Sequence, residues 1–444
     1  MKNFKKIIEQ FNKPETHLVV SDYPFASKKG EKNHGIAWYT KELIEPIAKN
    51  FNEKFVVLAE KTDFGDQPQL FTQNRVLVLR IFDHKKPRLF PQILRWLMIF
   101  NKINDVSVHS EFCANGGIRN MVLLLPFLFL IRLAGRKITF FAHNVVTDLS
   151  FVSDHLNLGT GWKIPVLNWL VKIYYKILSL LVSRFVVMDE VVKNRLRTMV
   201  GKKEIIVNPF WVKPHRVGVN QEKAKKILGF KKNDFLMLCF GFISHYKGSD
   251  WIVKTVKKLN RKNLKLLLAG GPAYSLKEKP LYREYYQKLC QLVKQDKRIQ
   301  ITGFVPEDKV VLYFTAADLV VLPYRGLIGG SGTLIHALSY RKPLILSNLM
   351  AELLKSHDIQ KIFADLNLTE ENLTFAYNLE DFSRILKELE NPSSLRKLAV
   401  FSQKLAKEKS FQKLIEDCYN KLYAPQKDFV SNLALSGKPS FIQA

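Results

Sequence analysis

Short apolar runs alternate along this chain with longer segments in which apolar residues return every three or four positions. The short runs are typical of buried strands, and the longer segments are typical of helices packed on a sheet. The alternation therefore predicts βαβ units and parallel sheets. In the first half, strands are predicted at 17–21, 55–59, 76–79, 106–109, 138–142, 185–188 and 205–207. Helices are predicted at 35–50, 91–100, 121–134, 165–181 and 190–199.

A polar stretch at 213–223, which contains Pro214, Gly218 and Asn220, interrupts the pattern and predicts a linker. The alternation then resumes, with strands predicted at 235–241, 265–269, 299–302, 319–322 and 343–346. Helices are predicted at 250–259, 280–295, 307–317, 333–338, 379–390 and 392–422.

The two halves predict an α/β protein built of two doubly wound, Rossmann-like domains that face each other across a cleft. We expect the first at 1–214 and the second at 215–423, with a last helix able to pack back on the first domain and a loose tail at 424–444. Doubly wound sheets bind ligands beyond the carboxyl ends of their strands. The cleft is therefore the expected site.

The composition is that of a globular chain, with 47% hydrophobic and 25% charged residues among 444. This excludes a disordered chain, a collagen and a simple coiled coil. Four scattered cysteines without a CxxC pair exclude a disulfide framework and a cysteine-based zinc site. They favour a reducing compartment, and we expect a cytoplasmic protein.

The net charge of +29 attracts nucleic acid, anionic lipid headgroups or phosphorylated ligands, or it reflects lysines spread over every surface. Nucleic-acid binding calls for a basic stripe interleaved with stacking aromatic residues. Here the lysines are dispersed and the aromatic residues lie in apolar runs, so nucleic acid is not an expected partner.

No segment predicts a signal peptide or a membrane span. The run at 121–131 is eleven residues long and contains Pro126, whereas a spanning helix needs about 20 apolar residues. The segment at 162–183 is longer but carries Lys163, Lys172 and Lys176. It is either a core helix with one solvent-exposed edge or a basic amphipathic helix that lies on an anionic membrane surface.

Several motifs are absent from the sequence. No P-loop, no G-x-G-x-x-G after a strand and no G-x-S-x-G are present, which disfavours a nucleotide triphosphatase, a dinucleotide dehydrogenase and a serine hydrolase. No D-x-D is present either, so no metal held by paired carboxylates is expected.

Two glycine-containing junctions between a strand and a helix are candidates for binding phosphate. At 240–248, Gly241 allows close approach of a ligand and Lys247 adds a charge beside a helix N-terminus. At 322–333, Arg325 has the shape to bind phosphate, and further donors follow it. These donors are the hydroxyls of Ser331 and Thr333 and the amides at Gly332 and Thr333. Ordinary βα turns with a solvated lysine or a helix cap are the alternative.

In the first half, His143 ends a predicted strand, where sheet ligands bind, and Gly35 follows the first strand. A packed histidine and a plain loop are the alternatives for these two positions.

These blocks resemble the retaining glycosyltransferases of the GT-B fold, in the family known as glycosyltransferase family 4. The resemblance covers most of the chain and is strongest in four blocks, FGFISHYKG, LLLAGGP, ITGFVPEDKVVLYFTAADLVVLPYR and SGTLIHALSYRKPLILSN. In the first half, ITFFAHNVV and IIVNPF are similar to family segments.

The resemblance implies a hexosyltransferase that moves sugar from a UDP- or GDP-sugar to a hydroxyl acceptor, a glycan or a lipid-linked one, with retention of configuration. It implies no metal and no cofactor beyond the nucleotide-sugar. It suggests a role in bacterial polysaccharide or glycolipid synthesis, in the cytoplasm or at the inner face of the membrane. The residues implied as catalytic are His143, Lys247 and Arg325, and those implied as donor-binding are Gly35, Gly241, Gly270, Tyr324, Ser331, Gly332 and Thr333.

The chain departs from the family pattern at three positions. Ile328 and His336 stand where many members carry a pair of glutamates, and Ser244 stands where a closer branch carries an arginine. Arg325 is the expected substitute for that arginine. The alternatives are a GT-B protein that binds a nucleotide-sugar or glycan without catalysis, and another GT-B enzyme such as an epimerase or a phosphorylase.

Overall fold

The computed structural model describes residues 2–25, 35–62, 68–84, 86, 88–110, 117–152, 163–213, 215, 218–273, 276–327 and 329–424. The first half of this part contains an eight-stranded sheet. Its strands are β1 (Thr16–Val20), β2 (Lys54–Glu60), β3 (Gln69–Phe71), β4 (Val76–Phe82), β5 (Asp105–Ser110), β6 (Lys137–Ala142), β7 (Arg184–Val187) and β8 (Ile205–Val207).

The strand order is β3-β4-β2-β1-β5-β6-β7-β8, and every neighbouring pair is parallel except β3 and β4. All seven residues of β4 are buried. Strands of a parallel sheet read as continuous apolar runs because helices cover both faces. This is why the sequence located these strands to within a few residues of their ends.

The helices of the first domain are α1 (Lys2–Phe11), α2 (Gly35–Phe51), α3 (Leu89–Ile99), α4 (Gly117–Leu133), α5 (Lys163–Leu181) and α6 (Glu190–Val200). Helices α3, α4 and α5 lie side by side on one face of the sheet, where Leu97, Leu128 and Leu178 enter the core. Helix α2 covers the opposite face.

The second domain contains a six-stranded sheet in which all neighbouring strands are parallel, in the order β11-β10-β9-β12-β13-β14. Its strands are β9 (Phe235–Phe240), β10 (Leu264–Ala269), β11 (Ile299–Ile301), β12 (Leu319–Leu322), β13 (Leu344–Ser347) and β14 (Thr374–Phe375). Its core is a continuous apolar cluster.

The remaining helices are α7 (Gln221–Ile227), α8 (Ser249–Lys258), α9 (Pro280–Lys294), α10 (Glu307–Ala316), α11 (Gly332–Ser339), α12 (His357–Leu366), α13 (Glu370–Leu373), α14 (Leu379–Glu388), α15 (Pro392–Glu408) and α16 (Phe411–Leu422). Short 3₁₀ turns are present at Leu149–Val152, His245–Lys247 and Asn348–Lys355.

The prediction of one helix at 392–422 is wrong, because the structure divides this segment into α15 and α16. Between them the carbonyl of Lys409 accepts a hydrogen bond from the amide of Val212 at 2.7 Å, and Val212 forms a β-bridge with Ser410. No proline or glycine marks the break. A pairing with a residue distant in sequence ends the helix, and local periodicity does not show such a pairing.

Helix α16 packs on the first domain. The ring of Tyr419 stacks on Phe51 with centroids 3.9 Å apart, and its hydroxyl donates to Glu53 at 2.9 Å. The guanidinium of Arg184 donates to the carbonyls of Lys421 at 2.9 Å and Leu422 at 2.7 Å. These carbonyls lie at the helix C-terminus, where no intrahelical donor remains for them.

Six helices and strands were missing from the prediction, namely α1, β3, α7, α12, α13 and β14. Strand β3 is three residues long, exposed to half-buried and antiparallel, so it leaves no apolar run in the sequence. Helix α1 lies next to α3, with Phe4 at 6.1 Å from the ring of Trp96. The predicted tail lies outside the described residues except for Ala424.

The two domains touch at the carboxyl ends of their sheets. Asn144, which follows β6, forms a β-bridge with Gly329, which follows β12. A Cβ atom at Gly329 would lie 2.4 Å from the carbonyl oxygen of His143, so this contact requires glycine. Arg195 adds a hydrogen bond to the carbonyl of Leu327 and an ion pair with Glu352 at 3.2 Å.

We predict that Arg184→Ala loosens α16, because two carbonyls at its C-terminus lose a charged donor. Hydrogen exchange at the amides of α16 should become at least tenfold faster, since the loss of even one charged hydrogen bond costs about 1.5 kcal/mol or more. Arg384→Ala, which removes only exposed ion pairs within α14, is the control and should leave exchange in α16 unchanged. Equal exchange in both variants would show that the Arg184 hydrogen bonds do not hold the helix.

Candidate active site

The loop that follows β9 places a lysine beside a glycine. Gly241 has a φ of +99°, and a Cβ atom there would lie 2.8 Å from Nζ of Lys247. The amide of Gly241 donates to the carbonyl of Ala269 at 3.0 Å, which fixes the loop on β10. A left-handed φ without a Cβ is what glycine supplies at low cost. The ammonium group can therefore lie directly over the backbone.

A small pocket lies at this point, with a volume of about 290 Å³ that includes the open space outside its mouth. Its lining includes Gly241, Lys247 and Tyr324, and Nζ of Lys247 is 5.8 Å from the centre of the Tyr324 ring. Cys239 lines the same pocket, and burial raises the pKa of its thiol to about 12 although Lys247 opposes the shift. The thiol is therefore protonated at neutral pH, and Lys247 is the charged group of the pocket.

Gly270 lies behind this loop. A Cβ atom at Gly270 would lie 2.0 Å from the carbonyl oxygen of Gly241. The residue was predicted to bind the donor. Its geometry gives a different reason for glycine at this position, because the end of β10 approaches the Gly241 loop more closely than any side chain permits.

The second glycine-containing junction is tied to the first. The hydroxyl of Thr333 donates to the carbonyl of Phe240 at 2.9 Å and accepts from the hydroxyl of Tyr324 at 3.1 Å. Ser331 caps α11 by accepting from the amide of Leu334 at 3.3 Å. A Cβ atom at Gly332 would have open space around it. Lys247 and the N-terminal turn of α11 therefore lie at one site, here called the Lys247 constellation. The dipole of α11 favours the binding of an anion there.

Arg325 is not the free phosphate cation that the sequence suggested. Its guanidinium makes a bidentate ion pair with Asp250, with both N···O distances at 2.9 Å, and donates to the carbonyl of His245. Burial alone would raise the pKa of Asp250, but the paired guanidinium lowers it below its usual range. Because bidentate pairs fix geometry, Arg325 clamps the 245–247 turn that carries Lys247. We therefore propose a positioning role for Arg325, and its predicted catalytic role stays a prediction.

Ser244, which stands where one branch of the resembled family carries an arginine, is buried. Its hydroxyl has no hydrogen-bond partner among the described residues. Ile328 and the loop residues before Gly35 lie outside the described part. Gly35 itself is the exposed first residue of α2, and a Cβ atom there would meet no atom of the described residues within 4 Å. Its predicted role in donor binding stays a prediction.

His143 closes the site from the first domain. Its ring is buried, lies edge-on to Tyr39 with centroids 4.9 Å apart, and has Nε2 at 3.2 Å from Nδ1 of His109. Because Gly329 touches the His143 carbonyl, the structure brings this histidine to the loop that leads into α11.

His109 is a residue that the sequence analysis passed over, although it ends the predicted strand at 106–109 just as His143 ends the next one. Its Nδ1 lies 3.3 Å from the hydroxyl of Thr40, which lies 2.6 Å from that of Ser21. Burial lowers the pKa of His109 well below its usual value, and the neighbouring His143 acts in the same direction. His109 is therefore neutral at physiological pH.

Asp22 and His84 form a second pair at this edge, with an N···O distance of 2.9 Å. Together with Glu60, they place ligand atoms within 4.8 Å of one another, the donor set that a divalent cation uses. No metal was expected from the sequence. The side chains already interact with protein groups, and Arg80 lies beside them.

His336 stands where the family pattern has a glutamate, and it is packed among aromatic rings. Its ring centroid is 5.4 Å from that of Phe240 and 5.5 Å from that of Phe314. Burial lowers the pKa of His336 to about 4, with His215 adding to the shift. The side chain is a neutral packing group beside the end of β9.

Two parallel-sheet Rossmann-like domains whose carboxyl ends face each other define the GT-B fold. Residues 234–376 match the family model described as glycosyl transferases group 1. That segment holds every loop of the Lys247 constellation.

Solved structures of this fold cover nearly the whole chain. Sucrose-phosphate synthase of Thermosynechococcus elongatus covers 95% of this chain and 100% of its own, at a TM-score of 0.67 and 14% identity. HepE of Anabaena, solved with UDP-glucose, covers 92% of this chain and 99% of its own, at a TM-score of 0.63 and 14% identity.

Curated relatives match shorter stretches. A GDP-mannose:glycolipid 4-beta-D-mannosyltransferase of Xanthomonas campestris is 33% identical over 110 residues, 24% of this chain and 29% of that protein. An uncharacterized glycosyltransferase of Methanocaldococcus jannaschii is 24% identical over 188 residues, 40% of this chain and 44% of that protein. The chain therefore spans less than half the length of the curated relatives it matches.

We predict that His336 makes the second domain acid-sensitive. A histidine whose folded pKa is about 4 binds its proton more readily when unfolded, so the stability it confers is present above pH 6.5 and is lost as the pH falls toward 4. His336→Gln should reduce the loss of stability between pH 7 and pH 4.5 by about 2 kcal/mol, measured by calorimetry at both values. The exposed His357→Gln is the control. An unchanged pH slope in His336→Gln would contradict the assignment.

Proposed function

We propose that the protein is a glycosyltransferase that moves a sugar from a nucleoside diphosphate sugar to an acceptor hydroxyl. One observation carries the proposal. The ammonium of Lys247 lies over the Gly241 backbone and next to the first turn of α11, inside the segment that matches group 1 glycosyl transferases. Two oriented positive groups at one pocket mouth suit a diphosphate.

The donor diphosphate would bind between Lys247 and the amides at the start of α11. As the sugar leaves, negative charge grows on the departing phosphate, and fixed donors that need no rearrangement stabilise it. Arg325 contributes by holding the turn that carries Lys247. UDP- and GDP-sugars are the proposed donors. This agrees with the solved neighbour that holds UDP-glucose and with the mannosyltransferase named for GDP-mannose.

The first domain would bind the acceptor, with His143 orienting the transferred sugar. No carboxylate pair stands beside α11 among the described residues, so the proposed step is attack by the acceptor hydroxyl on the same face from which the phosphate leaves, with that phosphate taking the proton. The bond from C1 to the phosphate oxygen breaks as the new glycosidic bond forms, and configuration is retained. Approach of the two domains excludes the water that would hydrolyse the donor.

The acceptor is proposed to be a glycan or a lipid-linked sugar, so the enzyme would be a hexosyltransferase that works in the cytoplasm at the inner face of a membrane. The mannosyltransferase relative is named for a glycolipid acceptor. No cofactor is part of this proposal.

We predict that Lys247→Ala weakens UDP or GDP binding at least tenfold by calorimetry and lowers donor turnover by about 10²–10³, the cost of removing one preorganised charge stabiliser. Lys254→Ala, an exposed lysine on α8, is the matched control and should behave as wild type. In Arg325→Lys, binding should fall less than in Lys247→Ala, because the clamp is loosened while Lys247 stays charged.

A Lys247→Ala protein that keeps wild-type nucleotide affinity and turnover would refute the phosphate assignment. A folded wild-type protein that responds to no nucleoside diphosphate would point instead to a GT-B protein without transferase activity.

We predict retention at the anomeric carbon of the transferred sugar. The measurement is the anomeric coupling constant of the first-formed product by NMR, compared with that of the donor. An inverted product would refute same-face attack. It would indicate a general base at the acceptor side, for which the Asp22–His84 pair is the available carboxylate and imidazole.

A further inference from the structure

The outer face of α3, α4 and α5 exposes an unusual amount of apolar surface. Of the seventeen large apolar side chains exposed among the described residues, twelve lie on these three adjacent helices. They include Trp169, which is 61% exposed, and Leu180, which is 68% exposed. The other ten are Met98, Ile118, Val122, Leu123, Phe129, Leu130, Leu133, Val166, Leu170 and Ile177. Apolar patches of this kind mark contact with a protein or a membrane.

The charges on the same face all have one sign. The three helices contain no aspartate or glutamate. Their charged side chains are basic and exposed: Arg95, Arg119, Arg132, Lys163, Lys172 and Lys176. A face that combines apolar and cationic side chains is complementary to an anionic bilayer surface, where headgroup phosphates lie above acyl chains. A second copy of the same face would bring six cations against six, which disfavours a symmetric dimer.

The inner sides of these helices show that they lie along the surface of the domain. By length and apolar composition, α5 is the one helix among the described residues that is able to cross a bilayer. However, its Val171, Tyr175 and Leu178 are buried in the domain core, together with Leu97 of α3 and Leu128 of α4. A spanning orientation would remove these side chains from the core. Any contact of this helix with a membrane would therefore be in parallel orientation.

Helices α3 and α4 also line a pocket in the first domain, the domain proposed to bind the acceptor. This pocket lies behind α4 and has a volume of about 600 Å³, a volume that includes the open space outside its mouth. Its apolar walls come from α3 and α4, through side chains such as Phe90 and Leu124, and its polar end holds Asp22, His84 and His109. An amphipathic molecule would fit with its apolar part against these walls and its polar head at the polar end.

We propose that the α3–α4–α5 face binds the surface of a bilayer containing anionic lipids, and that the enzyme takes an amphipathic, membrane-borne acceptor through the pocket behind α4. The docking proposal depends only on the exposed surface of these three helices. The proposal that an acceptor enters the pocket rests on the proposed function. Each basic side chain near an anionic bilayer strengthens binding about fivefold. Burial of the exposed aromatic and aliphatic side chains in the bilayer interface strengthens binding further.

The test is co-sedimentation of the full chain, without any nucleotide, with vesicles of phosphatidylcholine alone or with 30% phosphatidylglycerol. Binding should be confined to the anionic vesicles and fall steeply in high salt. Lys172→Gln/Lys176→Gln should bind about thirtyfold more weakly. The matched control Lys254→Gln/Lys258→Gln, which removes the same charge from α8 of the second domain, should bind as wild type.

The apolar contribution has its own pair of variants. Trp169→Ser/Leu180→Ser should lose at least tenfold in vesicle binding, whereas Ile227→Ser/Leu281→Ser, which removes exposed apolar groups from the second domain, should not. In wild type, the emission of Trp169 should shift to the blue on binding, and Trp169→Phe should remove that shift. Thermal unfolding of each variant shows that the fold is kept.

Failure of the wild type to bind anionic vesicles would overturn the proposal, and so would equal binding by the paired variants and their controls. A dimer in solution that Trp169→Ser/Leu180→Ser dissociates, without vesicle binding, would assign the face to a second copy. None of these results depends on transferase activity. Vesicle binding with no nucleotide response would therefore leave the docking surface established and the proposed reaction refuted.

Discussion

The site depends on close backbone contact at the carboxyl ends of the two sheets. The carbonyl of Gly241 lies where a Cβ of Gly270 would be, and the carbonyl of His143 lies where a Cβ of Gly329 would be. The first contact fixes the Lys247 loop on its own sheet, and the second brings the other domain to the start of α11. Contacts at these distances leave no room for any side chain. The positions of Lys247 and His143 therefore depend on glycines that allow these close backbone contacts.

Around these contacts, paired and neutral groups leave Lys247 as the cation available to a ligand in its pocket. Asp250 occupies Arg325, and burial keeps Cys239 protonated and His109 neutral. A single positive side chain beside a helix dipole suits a site that must bind a diphosphate and release it. The glycosyltransferase proposal rests on this arrangement. The apolar, basic face of α3, α4 and α5 is the basis for proposing that such an enzyme works at a bilayer surface.

The sequence predicted more of the fold than of the site. Buried parallel strands leave apolar runs that any reader can find, so the strand positions and the fold class followed from periodicity. The break at Lys409 and the ion pair of Arg325 did not, because each depends on a partner far away in the chain, Val212 in one case and Asp250 in the other. The position at a strand end that identified His143 as a candidate would also have identified His109.

What the sequence determined by itself is the alternation of strands and helices, the excess of positive charge and the presence of two glycine-containing junctions at helix starts. These are local properties, fixed by side-chain polarity and backbone freedom. Only the tertiary structure decided which glycines serve packing, which cation is already paired, and which apolar helix residues remain outside the core. Those outcomes depend on distances between segments that folding brings together, and the sequence does not contain such distances.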